Sequence, residues 1–315
     1  MNRSEPDNII PEPAVRRLVI GSVQFGMPYG VTNTRGQITS QEVSAILARG
    51  YESGVRLIDT AAGYGTSEAV LGGVLPEFPS VGIVTKIPPF AGSAITKADI
   101  TEMRNIVLRS LDLLRRAELY GLLLHRGADL LKPGGERISE LLNSLKQENI
   151  TKRVGVSVYD SEEVDGILDI FRPDIVQIPI SIFDQRFVNG SHVERLRAAG
   201  VEIHARSVFL QGVLLTETAA LPEYFRPFER QFERYSKFVD DNGTTRLAAC
   251  LDFVMGQSGA HHVLIGITSV SELDQILAVL SRSSTLPPMD CLASNDLALI
   301  DPRKWHLAPL EKSQR

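Results

Sequence analysis

The sequence predicts a single (β/α)8 TIM barrel, and three observations predict it. Short runs rich in Val, Ile and Leu recur along the chain, and we count eight of them. Each is followed by a longer segment whose apolar residues return at helical spacing. No Gly-x-Gly-x-x-Gly follows an early run, where an open dinucleotide-binding sheet would carry one. Strands apolar on both faces and joined by helices require a parallel sheet covered by helices, and eight repeats suit closure better than an open edge.

In chain order, the first strand is "RLVIGS" (17 to 22), followed by a rim loop, "GSVQFGMPYGVTNTRGQ", and the helix "SQEVSAILARGYES". The second, "VRLID" (55 to 59), runs through "TAAGYGT" into a helical segment, and the third is "VGIVTK" (81 to 86) with the helix "DITEMRNIVLRSLDLLRR" behind it. "LYGLLLH" (119 to 125) precedes "RISELLNSLKQEN", "RVGVS" (153 to 157) precedes "SEEVDGILDIF", and "DIVQI" (174 to 178) precedes "VERLRAAG". "VEIHARS" (201 to 207) and "HVLIG" (262 to 266) complete the set, the last followed by "SVSELDQILAVLSR". Several helices carry a Ser or Asp cap at the start or a Gly just past the end. The interval from 208 to 261 is the longest and holds an excursion around "TETAALPEYFRPFERQF", then two helices. We expect a flexible N-terminal extension (1 to 16), one barrel domain (17 to 284) and an irregular, Pro-containing tail (285 to 315).

Apolar residues at 43% and charged residues at 23% fit a globular chain with a large core. The formal net charge of -5, with no long basic run, argues against nucleic acid or an anionic membrane as the main partner. Cys250 and Cys291 lack CxxC spacing or a nearby histidine pair, so both read as buried free thiols. His261 and His262 are adjacent, and neighbours on a strand point to opposite faces, so no metal is expected. The first residues are broken by prolines and acids, and no apolar run reaches the roughly 20 residues of a membrane span. A reducing, cytoplasmic setting is expected.

In such barrels the C-terminal ends of the strands form the active-site rim. Here they end at Asp59, Lys86, His125, Ser157, Gln177, and Arg206 with Ser207. Each alone has a local explanation, as a cap, a solvated cation or a backbone partner, and it is their coincidence at one rim that points to function. Asp59, Tyr64, Lys86 and His125 together suit carbonyl reduction. A tyrosine hydroxyl can protonate the carbonyl oxygen, but its ordinary pKa near 10 needs a neighbouring cation to bring it toward neutral pH. An ammonium about 4 Å away is worth roughly 4 kcal/mol at an effective dielectric of 20, before desolvation. Lys86 is placed to supply it, Asp59 to keep that lysine charged, and His125 to orient the carbonyl.

These residues resemble the aldo-keto reductase family. "IDTAAGYG" fits its Asp-Thr-Ala-x-x-Tyr signature, "IVTK" its lysine strand, "LLLHR" its histidine strand and "RVGVSVY" its Gly-Val-Ser segment, and the similarity runs from about residue 17 to 280. The resemblance implies Tyr64 as general acid or base, Lys86 and Asp59 tuning it, His125 orienting a small carbonyl substrate, and a nicotinamide dinucleotide, NADPH or NADH. It assigns Ser157 and Gln177 to the carboxamide, Arg206 beneath the nicotinamide, and Ser207, Leu210 and Gly212 to the pyrophosphate and ribose. Gly266, Thr268, Ser269, Glu272 and Gln275 go to the adenosine end; Gly266 reads equally well as a simple turn residue. In the first loop, Gln24 is a candidate substrate contact, while Phe25, Met27 and Tyr29 either line the substrate mouth or plug the barrel.

The chain departs from the family pattern at three points. Val158 stands where Asn is common, Arg206 where many members stack a tyrosine, and Thr268 and Ile276 where a basic residue and an Asn usually sit. The strong arginine contact to a 2′-phosphate is therefore missing at its usual position. We expect reduction of an aldehyde or ketone, such as a sugar or sugar derivative. The alternatives are a lyase or aldolase forming a Schiff base on Lys86, and a noncatalytic dinucleotide-binding redox sensor. Oligomeric state is not legible in the sequence.

Overall fold

A computed structural model of the chain describes residues 14–283 and 286–306. Eight parallel strands close into a barrel in chain order. They are β1 (Leu18–Gly21), β2 (Leu57–Asp59), β3 (Gly82–Ile87), β4 (Gly121–Leu124), β5 (Val154–Ser157), β6 (Ile175–Pro179), β7 (Glu202–Arg206) and β8 (His262–Gly266). Closure is made by β8 pairing back to β1, Leu18 with Val263 through Gly21 with Gly266.

Alternation along each strand decides which side chains fill the barrel and which face the helices. Val19, Leu57, Val84, Leu123 and Ile175 form a closed apolar cluster inside, with Tyr120 and Leu264 packed against it. Residues of the opposite parity, such as Ile20, Ile58, Ile83 and Leu122, join the larger cluster beneath the helices. Fully burying one such aliphatic side chain stabilises by roughly 1.5–3 kcal/mol, so the two clusters hold the barrel from both sides. The interior is a packed layer, and polar side chains are left to the two ends.

Helix limits follow local capping. Thr39 and Glu42 close a reciprocal capping box on Ser40–Glu52. Lys97–Leu114 begins two residues before the expected start, because Thr96 accepts from the Asp99 amide while the Asp99 side chain accepts from the Thr96 amide. The long interval contains short 3-10 turns at Leu210–Leu215, Thr218–Ala220 and Glu223–Phe228, then helices Glu229–Asp241 and Arg246–Asp252. An excursion followed by two helices is the expected order.

Both ends of the described chain are more structured than expected. Residues 14–16 belong to a 3-10 turn, Ala14–Arg17, anchored where the Arg17 guanidinium donates to the carbonyls of Met255, Ala260 and His261. The rest of the expected extension, residues 1–13, lies outside the described residues, as do 284–285 and 307–315. The tail is not irregular throughout: it forms Asp290–Leu292, Leu297–Ile300 and Pro302–Lys304, the last two capped by Asp296 and Asp301. Trp305 packs edge-on against Phe225 at 5.0 Å and docks this segment on the excursion. Cys250 is buried as expected, but Cys291 is exposed, since it lies on this added segment and not in the barrel. Among the described residues no helix is long and apolar enough to cross a membrane.

Candidate active site

The turn after β2 is stitched to its neighbours before it reaches Tyr64. Thr60 N–H donates to the Val84 carbonyl at 2.8 Å, Ala62 N–H to Lys86 at 3.2 Å, and Tyr64 N–H to Ala61 at 3.0 Å. From the other side the one-turn helix Val23–Gly26 comes so close that a Cβ on Gly26 would lie 1.9 Å from the Tyr64 carbonyl oxygen. Only glycine permits that approach. Tyr64 is thereby placed by backbone contacts from two elements.

Below it lies an almost completely buried polar group. The Lys86 ammonium pairs with the Asp59 carboxylate in a short contact and donates to the Thr60 carbonyl at 2.9 Å. The other Asp59 oxygen accepts from Gln177 Nε2 at 2.9 Å. Lys86 Nζ sits 5.1 Å from the centre of the Tyr64 ring, and the His125 ring meets Tyr64 edge-on at 5.6 Å. Taking Lys86 out of water pushes its pKa down, and Asp59 opposes this. Burial, then the Asp59 carboxylate, pushes Tyr64 above the ordinary phenol range, and Arg206 pulls the other way. The cation opposing the rise is thus Arg206 and not Lys86 as expected, because Lys86 is committed to Asp59. Burial, aided by Lys86 and Arg206, pushes His125 down to about 3. A neutral imidazole that can donate one hydrogen bond therefore faces the site at neutral pH.

One cavity of about 1030 Å³ opens above this group. It brings together Asp59, Tyr64, His125, Ser157, Gln177, Arg206, Ser207, Gly212, Gly266, Thr268, Glu272 and Gln275, with Gln24 and Tyr29 from the first loop. Five expected residues do not line it, Met27 of the first loop among them. Lys86 lies beneath, fully covered. Phe25 is wholly buried in the core, so it plugs and does not line the mouth. Leu210 is likewise wholly buried in that cluster. Ser269 is the N-cap of Val270–Leu280, its hydroxyl accepting from the Glu272 amide at 3.1 Å. A side chain turned into the core or spent on a cap is not offered to a ligand.

The lining suits an extended dinucleotide. Gly212 has φ +93°, and a Cβ there would lie 1.9 Å from Thr32 Oγ1, so only glycine lets these two loops approach. A Cβ on Gly266 would come within 2.9 Å of the Gln24 amide, whose buried Oε1 has no partner among the described residues. The first loop also reaches across: Thr32 Oγ1 donates to the Gln211 carbonyl at 3.3 Å, and Arg35 Nη1 to the Thr268 carbonyl at 2.6 Å.

Three residues escaped the sequence reading. Arg35 places a guanidinium beside Thr268, where the usual basic residue is missing. Tyr159 is sandwiched between the guanidinium carbons of Arg206 at 3.9 Å and Arg303 at 3.8 Å. Arg303 belongs to the tail and is held by Asp301 and Asp160. The segment "RVGVSVY" contained Tyr159, but nothing in it signalled a cation on either face.

A search of curated proteins found no match. Among solved structures the chain is similar to an aldo-keto reductase of Bacillus halodurans in its holo form, at 17% identity and a TM-score of 0.69 over 91% of this chain and 94% of that one. It is also similar to an aldo/keto reductase of Klebsiella pneumoniae in complex with NADP and acetate, at 19% identity and a TM-score of 0.63, covering 93% and 95% of the two chains. At these identities the likeness establishes the fold. The sequence profile of the aldo/keto reductase family, however, matches residues 17–291, which takes in every strand and the whole cavity lining. The chain therefore belongs to the aldo/keto reductase family of NAD(P)H-dependent oxidoreductases.

Proposed function

We propose that the chain reduces an aldehyde or ketone to an alcohol, with Tyr64 as the general acid. The observation that carries this reading is the Tyr64 ring at the floor of the cavity, above the Asp59–Lys86 pair and edge-on to a neutral His125. His125 donates to the carbonyl oxygen and holds it toward the Tyr64 hydroxyl, which delivers the proton. Arg206 and the buried pair set the field in which the phenolate forms, and the enclosing walls keep water from competing. A bound reduced nicotinamide dinucleotide supplies the hydride. Ser157, Gln177 and Arg206 would hold its nicotinamide end, Ser207 and Gly212 its middle, and Gly266, Thr268, Glu272 and Gln275 its adenosine end, with Arg35 as the cation for a 2′-phosphate. The polar first-loop groups Gln24 and Tyr29 suit a hydroxylated carbonyl compound such as a sugar or sugar derivative.

A Schiff base on Lys86 is disfavoured, since that amine is wholly covered and spent on Asp59 and Thr60. The deciding experiment is Tyr64→Phe. Turnover of a responsive carbonyl substrate should fall roughly 100 to 10,000-fold with fold and dinucleotide affinity retained. Turnover within about threefold of the parent would sink the assignment.

A further inference from the structure

The opposite end of the barrel carries a second, partly buried polar cluster that the reaction does not use. Glu202 and His204 share one face of β7, two residues apart, and His204 stands in register with His262 of β8. The two imidazoles lie with ring centres 4.9 Å apart. Both present Nε2 to the same oxygen of Glu202, His204 at 2.6 Å and His262 at 3.6 Å. The three candidate donor atoms all fall within 4.8 Å of one another. His204 is completely buried, and its Nδ1 has no partner among the described residues. The Tyr120 hydroxyl meets both Glu202 oxygens at 3.0 and 2.9 Å, and Arg153 Nε stands 3.4 Å from one of them. A cavity of about 820 Å³, lined in part by Glu202, His262 and Tyr120, gives solvent access.

We propose that Glu202, His204 and His262 form a binding site for a divalent transition metal of the zinc or cobalt kind. Two imidazoles and one carboxylate are a donor set suited to such ions, whereas magnesium and calcium favour all-oxygen shells. Bonds of about 2.0–2.2 Å in a tetrahedral shell separate neighbouring donors by roughly 3.3–3.5 Å. The 3.6 Å between His262 Nε2 and Glu202 is already close to that spacing and too long for a hydrogen bond. The 2.6 Å contact of His204 needs to open by only about 1 Å, exchanging a hydrogen bond for a bridging ion. The fourth position faces Tyr120 and the cavity. Arg153 and the guanidinium of Arg17, which is bonded to three carbonyls, add positive charge nearby, so the fourth ligand is best an anion such as hydroxide or a carboxylate.

The test is a titration of untagged, chelator-stripped protein with cobalt(II), followed by its visible absorption bands, with zinc(II) competing by calorimetry. One saturable cobalt per chain is expected, with the intense bands of a four-coordinate site, and zinc should displace it. His262→Ala and Glu202→Gln should each weaken binding by at least about tenfold. Carbonyl reduction by His262→Ala should stay at the parent rate, because the ligands lie at the far end of the barrel. His204 is fully buried and its variants risk the fold, so the half-covered His262, checked by circular dichroism, carries the test. No saturable band up to millimolar cobalt in the parent protein overturns the proposal, as does a band that His262→Ala leaves unchanged.

Discussion

The two ends of the barrel solve the same problem differently. Each places a carboxylate on the inner wall, Asp59 fully buried at the C-terminal end and Glu202 partly exposed at the other, with the apolar layer of Val19, Leu57, Val84, Leu123 and Ile175 between them. Asp59 is held by Lys86 from β3 and Gln177 from β6, so its charge is balanced across the barrel. Glu202 is held by Tyr120 just before β4 and by His204 on its own strand. Above Asp59 the loops enclose a cavity of about 1030 Å³, two of whose glycines let the first loop approach closely; beside Glu202 the chain spends Arg17 and Arg197 on its own carbonyls. Buried polarity at a strand end does not by itself mark the reaction centre. Both ends also open into a cavity, so what separates them is the chemistry of the lining, Tyr64 and a neutral His125 at one end against Glu202 and two histidines at the other.

Removing a charge should break this contrast most sharply. Lys86→Met leaves the Asp59 carboxylate buried without its cation, and breaking a buried pair from one side costs about 3–5 kcal/mol. Tyr120→Phe at the other end removes one hydroxyl donation shared by the two oxygens of Glu202, which keeps His204 and Arg153, and should cost less, about 1.5–3 kcal/mol. Denaturant unfolding of the two variants measures the difference directly. Equal losses would show that the Asp59–Lys86 pair has no special place in stability.

A smaller effect separates the ends by ligand. Arg35 is half exposed and already bonds the Thr268 carbonyl and Glu42, so its pairing with a 2′-phosphate is screened. Arg35→Ala should weaken NADPH binding by about 1 kcal/mol, roughly fivefold, and leave NADH unchanged. Reduced-nicotinamide fluorescence titrations read both constants. A parallel loss for the two dinucleotides would assign Arg35 to loop closure alone.

How much of this was legible depended on how local the signal was. The eighth strand, "HVLIG", matches β8 residue for residue, because a five-residue apolar run between turns has one good solution. The quartet Asp59, Tyr64, Lys86 and His125 was readable because strand ends in a closed barrel share one rim. Phe25 was not, since a helix of one turn has no periodicity to say which side faces inward. Arg35 and Arg303 were beyond reach for another reason: their bonded partners, Thr268 and Asp160, lie 233 and 143 positions away. His204 and His262 meet only because β7 and β8 pair in register, a convergence that the adjacent His261 and His262 could not signal in the sequence.

A pH dependence is also expected at the upper end. Burial holds His125 at about 3, against an ordinary value of about 6.5 in an unfolded chain. Between those values the unfolded chain binds a proton that the folded chain does not. Stability therefore rises with pH through this window, and is lost progressively as pH falls below about 6.5. Above it the imidazole is neutral in both states and contributes no slope. His125→Asn removes the titrating group and keeps a hydrogen-bond donor at the cavity floor. Its unfolding free energy should depend less steeply on pH between about pH 6.5 and about pH 5, and run parallel to the parent from about pH 7 upward. Denaturant midpoints across that range measure both slopes. If they coincide throughout, His125 takes up its proton in the folded protein near its ordinary value of about 6.5, and only below that pH would the donor at the cavity floor be an imidazolium.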